Sequence, residues 1–118
     1  MAKNRTMGSK FRSKFQLDGE DITYIDRVGL LMIETHARDF VTRRLAPEKP
    51  RNDGKQTPFK GHPVFKAQHA TATCCRNCLL KWYKIPKDKQ MTGSEIDFAT
   101  GLIVKWIKDS LVKSKPAS

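Results

Sequence analysis

The residues best able to do chemistry crowd into one stretch, Ala67 to Pro86, AQHATATCCRNCLLKWYKIP. It holds all three cysteines, Cys74, Cys75 and Cys78, with His69 just upstream and His62 seven residues before that. Thiolate and imidazole suit Zn²⁺, and a structural zinc site takes four such ligands. Cys75-x-x-Cys78 puts two thiols one turn apart on one helix face, and His69 precedes that helix across a short bend. The fourth ligand is then Cys74, His36 or His62. A second paired knuckle, which would make a zinc signature specific, is absent. The same residues admit other uses. Cys75 and Cys78 can be small buried hydrophobes. Cys74, at a helix N-terminus near Arg76, can be a reactive thiol, since both features lower a thiol pKa. An iron–sulfur site is a further use. Histidines and acids form no spacing that assembles a catalytic set. A hydrolytic zinc centre would add an open position and a carboxylate, for which Asp39 or Glu34 is available.

The cysteines also speak to compartment. Their number is odd, and Cys74 and Cys75 are adjacent, too close for relaxed disulfide geometry. A secreted scaffold would carry an even, spread set, so thiol or metal chemistry in a reducing environment is the expectation, and with it a cytoplasmic location, host cytosol if the protein is viral. The N-terminus, MAKNRTMGSKFRSKF, has no apolar segment behind it and does not read as a secretory signal, although its basic, serine-containing composition is shared with organelle-targeting peptides. No apolar run approaches the roughly 18 to 20 residues that span a bilayer, so no membrane role is expected.

The net charge is +11, and its placement matters more than its sum. Residues 1–16 carry five bases and no acids, residues 17–42 two bases and six acids, residues 43–91 twelve bases and three acids, and residues 92–118 four bases and three acids. The positive charge therefore lies in an N-terminal arm and in the segment that holds the cysteines. Such clustering points to a polyanionic partner, DNA or RNA. Arg43, Arg44, Arg51, Lys55, Lys60, Lys66, Arg76, Lys81 and Lys84 are the candidate phosphate contacts, with Tyr83 available to stack on a base.

The elements that must position these groups read as helices. A chain of 118 residues fits one domain and needs no staples to fold. Residues 1–16 read as a flexible basic arm, in which Phe11 and Phe15, four apart, can form one helical turn. Asp18-Gly-Glu-Asp21 crowds acids into a first turn, and Ile22, Ile25, Gly29, Met32, Ile33, His36 and Phe40 continue at helical spacing to about Arg44. Residues 46–61 hold three prolines and two glycines and predict a long basic loop with turn chemistry at Asn52-Asp53-Gly54. His62-Pro63 opens a second helix, and a bend over Thr71–Thr73 lets Thr73 cap a third, from Cys74 to about Ile85, with Cys75, Cys78, Leu79 and Trp82 as its apolar stripe. Thr92-Gly-Ser-Glu95 is a capping box ahead of a last helix whose inner face is Ile96, Ala99, Ile103, Trp106 and Ile107. No segment reads as a strand.

The block GKQTPFKGHPVFKAQHATATCCRNCLLKWYKIPKDKQMT, with HARDFVTRRLAP before it and FRSKF near the start, resembles the DUF4186 family of small bacterial and phage-associated proteins. The resemblance covers residues 10 to 110 and implies functional candidates at His36, Asp53, Gly54, Lys55, Gln56, His62, Gln68, His69, Thr71, Thr73, Cys74, Cys75, Arg76, Cys78 and Trp82. Family members often carry a histidine after the tryptophan. Here that position is Tyr83, which argues against an obligatory ligand there. The family has no assigned reaction, so the resemblance implies a site and no activity.

The expectation is an all-α domain over residues 17–114: a compact bundle of about four helices packed around Trp82 and Trp106, with a long basic loop between the first and second, the arm before it and a disordered tail over 115–118. The leading function is nucleic-acid binding with a structural zinc site. The rivals are a small metal- or cysteine-dependent nuclease or hydrolase, and a phage-type protein-interaction module or inhibitor of a nucleic-acid machine.

Overall fold

A computed structural model describes residues 10–52 and 54–114; Asp53, most of the basic arm and the tail after Ser114 lie outside the described residues. The architecture is all-α, with no strand among the described residues. In chain order the helices are α1 (Lys10–Ser13), α2 (Gly19–Val28), α3 (Leu30–Phe40), α4 (Pro63–Ala70), α5 (Arg76–Tyr83) and α6 (Gly93–Ser114), and a single π-helical turn over Val41–Leu45 extends α3. The long α6 is the backbone of the bundle, with α3 and α4 packed along it and α2 folded back on α3.

Local chemistry sets the ends of these helices. The Asp18 carboxylate accepts from the Asp21 amide and the Asp21 carboxylate accepts from the Asp18 amide, so two otherwise orphaned donors are satisfied reciprocally at the start of α2. Thr92 and Glu95 do the same for α6. The Nδ1 of His62 caps α4 by accepting from the Val64 amide, with Pro63 at the first position where its missing N–H costs nothing.

The expected first helix is two helices. Gly29 sits at φ 88°, ψ 153°, outside helical space, and its N–H closes α2 on the Ile25 carbonyl while its own carbonyl opens α3 by accepting from Ile33. An alanine there would carry about 1–3 kcal/mol of backbone strain. The break re-phases the stripe. Ile33, Ala37, Val41 and Leu45 recur every four residues and are completely buried, whereas Met32, expected inside, is exposed. The π-helical turn keeps this four-residue repeat on one face for one more turn. From α6, Ala99, Ile103, Trp106 and Ile107 complete the core as their spacing predicts, each large side chain contributing roughly 1.5–3 kcal/mol by burial. Trp82 is not a core residue. It is half-buried beneath Arg12, and its neighbour Tyr83, expected to face solvent, packs on the core and donates its hydroxyl to the Thr71 carbonyl.

Arg76 departs furthest from its expected role. It heads α5 yet is 1 % exposed, and its two terminal nitrogens donate to the carbonyls of Leu45, Ala46, Pro47, Pro86 and Lys89. One guanidinium therefore ties the end of the α3 extension and the linker after α5 to the start of α5. Its head group is spent on the protein's own backbone and is not available to a phosphate. Arg76→Leu should destabilise the fold by about 3 kcal/mol, since several buried carbonyls lose their donor at about 1–3 kcal/mol each, an effect that urea denaturation reads as a lower midpoint.

Candidate metal centre

The bend between α4 and α5 creates the site. Thr71 closes α4, Ala72 takes a left-handed conformation at φ 62°, and Thr73 returns its amide to the Gln68 carbonyl while Gln68 Nε2 donates to the Thr73 carbonyl. Thr73 does not cap α5. It is fully buried with its hydroxyl 2.9 Å from that of Thr71, and Cys75 occupies the cap position. Cys74 and Cys75 thus precede the helix, Cys75 with extended backbone, and Cys78 lies on its first turn. The three sulfurs converge within 4.8 Å of one another, and Cys74 Sγ and Cys78 Sγ are 3.7 Å apart. Cys74 and Cys75 are buried, Cys78 is half-buried, and none is in a disulfide. This is a cluster that can hold a metal ion. No carboxylate among the described residues belongs to it; Asp39 is paired with Arg43, four residues along the chain.

Arg12 closes the cluster from the N-terminal side. Residues 10–16 are not a free arm: α1 packs on α4, and Arg12 is buried with Nη2 3.1 Å from Cys78 Sγ and Nη1 4.0 Å from Cys74 Sγ. Nη1 also donates to the His69 carbonyl, and the guanidinium lies over the Trp82 ring. Hydrogen bonds from the Cys74 and Cys75 thiols, opposed by burial and aided by Arg12, hold the Cys78 thiol far below its usual pKa. Cys74 moves the other way, because its hydrogen bonds to Cys75 and Cys78 and its burial keep its proton on. The sulfur that a guanidinium approaches is therefore Cys78, beside Arg12, whereas Arg76 is spent on backbone carbonyls.

His69 borders this centre through its backbone, its carbonyl accepting from the same Arg12 nitrogen that approaches Cys74, while its ring is not in the group that converges within 4.8 Å. Its ring is buried in an aromatic nest, nearly parallel to Phe59 at 4.5 Å and to Phe15 at 5.3 Å, with Phe11 edge-on. Nε2 lies 3.1 Å from the Thr57 carbonyl and 3.2 Å from that of Pro58, which fixes the proton on Nε2. Nδ1 is then a lone pair, buried and without a partner among the described residues. Burial holds the ring neutral by lowering its pKa. The loop before α4 is strapped to the same place, for Thr57 also donates to the Cys74 carbonyl at 2.7 Å.

His36 and His62 are elsewhere. They form their own pair, His36 Nδ1 to His62 Nε2 at 3.0 Å, with the Tyr24 hydroxyl at 3.5 Å and the rings of Phe40 and Phe65 against His62. Both nitrogens of His62 are committed, Nδ1 to the Val64 amide and Nε2 to His36, and neither histidine is in the group that converges with the sulfurs. Of the remaining candidates, Lys66 is bound to Asp18 and Asp21, Arg44 lies over Phe40 and Phe65, and Arg43 holds Asp39. Sequence reasoning missed Arg12 and Thr57. Nothing local marks Thr57, while the FRSKF turn that carries Arg12 between two phenylalanines was visible without its destination.

The fold and the site together define a small all-α protein built around a thiol cluster. Residues 2–108 match the model of DUF4186, a domain of unknown function, and the chain belongs to that family. No solved structure matches the chain. No helix among the described residues is long and apolar enough to cross a membrane.

The His36–His62 pair gives a pH prediction. Burial, then the neighbouring His36, pushes the His62 pKa down from 6.5 to about 4. The folded state therefore favours the neutral ring, a contribution present above pH 6.5 and lost as pH falls toward 4. His62→Asn keeps a side-chain cap for α4 but does not titrate. Thermal melts from pH 7 to pH 4 should fall less steeply for this variant than for the wild type.

Proposed function

We propose that this chain binds one thiophilic metal ion, zinc first among them, through Cys74, Cys75 and Cys78 with Nδ1 of His69 as the fourth ligand, and that the loaded protein binds nucleic acid. The observation that carries the metal reading is the convergence of the three sulfurs, and the state of His69, just outside that group, nominates the fourth ligand. Metal-bound histidines characteristically donate their other ring N–H to a carbonyl, which fixes the tautomer and aims the free lone pair. His69 has that anchoring on Nε2, and a buried lone pair with no partner is costly unless something fills it. Three thiolates around a dication leave one negative charge, and Arg12 is already positioned to offset it through Cys78. The metal would join the loop before α4, the α4–α5 bend and α5, a structural role in which no substrate position is required. Protein purified under reducing conditions without added metal should carry about one zinc per chain with its thiols protected, and Cys75→Ser and Cys78→Ser should lose the metal and melt at a lower temperature while remaining folded. Protein with no metal, no zinc uptake and three freely titrating thiols would refute this reading.

Nucleic acid as partner is supported by charge. Arg51, Lys55, Lys60 and Lys84 are exposed and enter no ion pair among the described residues, and Lys81 is exposed over the Trp82 ring. These follow one another through the long loop and the end of α5, within the segment that carries most of the +11. If six or more phosphates are neutralised, affinity for single-stranded RNA or duplex DNA should fall by about a thousandfold or more between 50 and 200 mM salt. Lys55→Glu with Lys60→Glu should weaken binding and flatten that slope in fluorescence anisotropy. Binding that survives salt unchanged would instead favour a protein partner.

A further inference from the structure

We infer that Cys78 and Cys74 form a peroxide-oxidisable thiol pair: Cys78 meets a hydroperoxide, Cys74 resolves it, and the product is an intramolecular disulfide that leaves Cys75 reduced. The inference rests on the reading of the three cysteines as one site. It requires only their convergence and stands apart from whether a metal is bound.

Three observations carry it. The Cys74 and Cys78 sulfurs are 3.7 Å apart, already in van der Waals contact, so a small movement brings them to bonding distance. The two differ in access: Cys78 is half-buried and reachable from solvent, whereas Cys74 is 8 % exposed and sits behind it. Arg12 is unequally shared, with one N–H group 3.1 Å from Cys78 Sγ and the other 4.0 Å from Cys74 Sγ. A guanidinium beside a sulfur stabilises negative charge on it, and the same N–H groups are placed to steady an oxygen anion departing from it.

The chemistry balances with a hydroperoxide as the named oxidant. The Cys78 sulfur attacks the terminal oxygen of ROOH, an S–O bond forms, and the O–O bond breaks with both its electrons leaving on RO⁻, which takes the Cys78 proton and departs as ROH. Cys78 is now a sulfenic acid. The Cys74 sulfur attacks Cys78 Sγ, the S–S bond forms, the S–O bond breaks, and the leaving hydroxide takes the Cys74 proton to become water. Two thiols are oxidised by two electrons and one peroxide is reduced. Oxidation by this route would remove two of the three sulfurs from the cluster, so a bound metal and the disulfide exclude one another.

The test uses the full chain, stripped of metal with a chelator under reducing conditions, desalted anaerobically and divided into zinc-free and zinc-supplemented portions. Each receives one equivalent of hydrogen peroxide, is quenched with N-ethylmaleimide and is digested with trypsin, which separates Cys74 and Cys75 from Cys78 by cleavage after Arg76. In the zinc-free portion the protein should lose two hydrogens, retain one alkylatable thiol, and yield the peptide 67–76 linked to 77–81, with fragmentation placing the link at Cys74. Cys75→Ser should keep the link, Cys74→Ser should lose it, and Arg12→Gln should slow oxidation roughly tenfold, with far-UV circular dichroism confirming that each variant is folded. Three thiols that all remain alkylatable, or a link that runs through Cys75, would overturn the inference even if zinc binds. A Cys74–Cys78 link in a protein that takes up no zinc would uphold it while refuting the metal reading.

Discussion

A buried guanidinium holds this protein's working end together. Arg76 stands at the first position of α5 with its side chain turned inward, and it collects carbonyls from the end of the α3 extension and from the linker leaving α5. These segments are irregular, and irregular backbone inside a protein needs donors that no helix provides. Arginine alone among side chains offers five N–H groups in a fixed fork on an unvarying charge. With the start of α5 pinned in this way, Cys75 is held at the cap position and Cys78 one turn on, which is the geometry the cluster needs.

A second arginine then completes the centre from the opposite end of the chain. Arg12 comes in on a four-residue helix that has little stability of its own, since so short a helix cannot recover its nucleation cost. What fixes it is the aromatic nest around His69 and the sulfurs themselves. The dependence is mutual: the N-terminal turn needs the cluster for its position, and Cys78 gains from Arg12 a hydrogen-bond donor at 3.1 Å. The Cys78 thiol, the one nearest solvent, is held down in pKa first by hydrogen bonds from Cys74 and Cys75 and then by Arg12, and perturbed groups of this kind cluster at functional sites.

The two histidine groupings divide labour along α4. His62 caps the helix at one end and pairs with His36 against α3, while His69 lies near the other end with one nitrogen anchored and the other bare. One group is saturated with protein partners and serves the fold. The other has a buried lone pair left over. The contrast separates a structural histidine from a candidate ligand on hydrogen bonding alone, without appeal to position in the sequence.

The sequence by itself determined the helical class, the helix start at Asp18 and the capping box at Thr92, the turn at Gly54, the bend at Thr71–Thr73 and the crowding of chemistry between His69 and Cys78. These are local properties, written in spacing and in the few residues that satisfy helix ends. It did not determine that Gly29 divides the first helix, because glycine is tolerated inside helices and only packing decides when it breaks one. Nor did it separate the charges by use. Arg76 and Arg12 look like Arg51 or Lys55 in a count of bases, yet the first two are buried among carbonyls and sulfurs that lie tens of positions away in the chain. That His36 and His62 are spent on each other was likewise a matter of fold, since nothing local shows it until the packing of α2, α3 and α4 brings them together. Long-range pairings of this kind have no local signature, and here they are what turns a basic helical chain into one with a defined thiol centre.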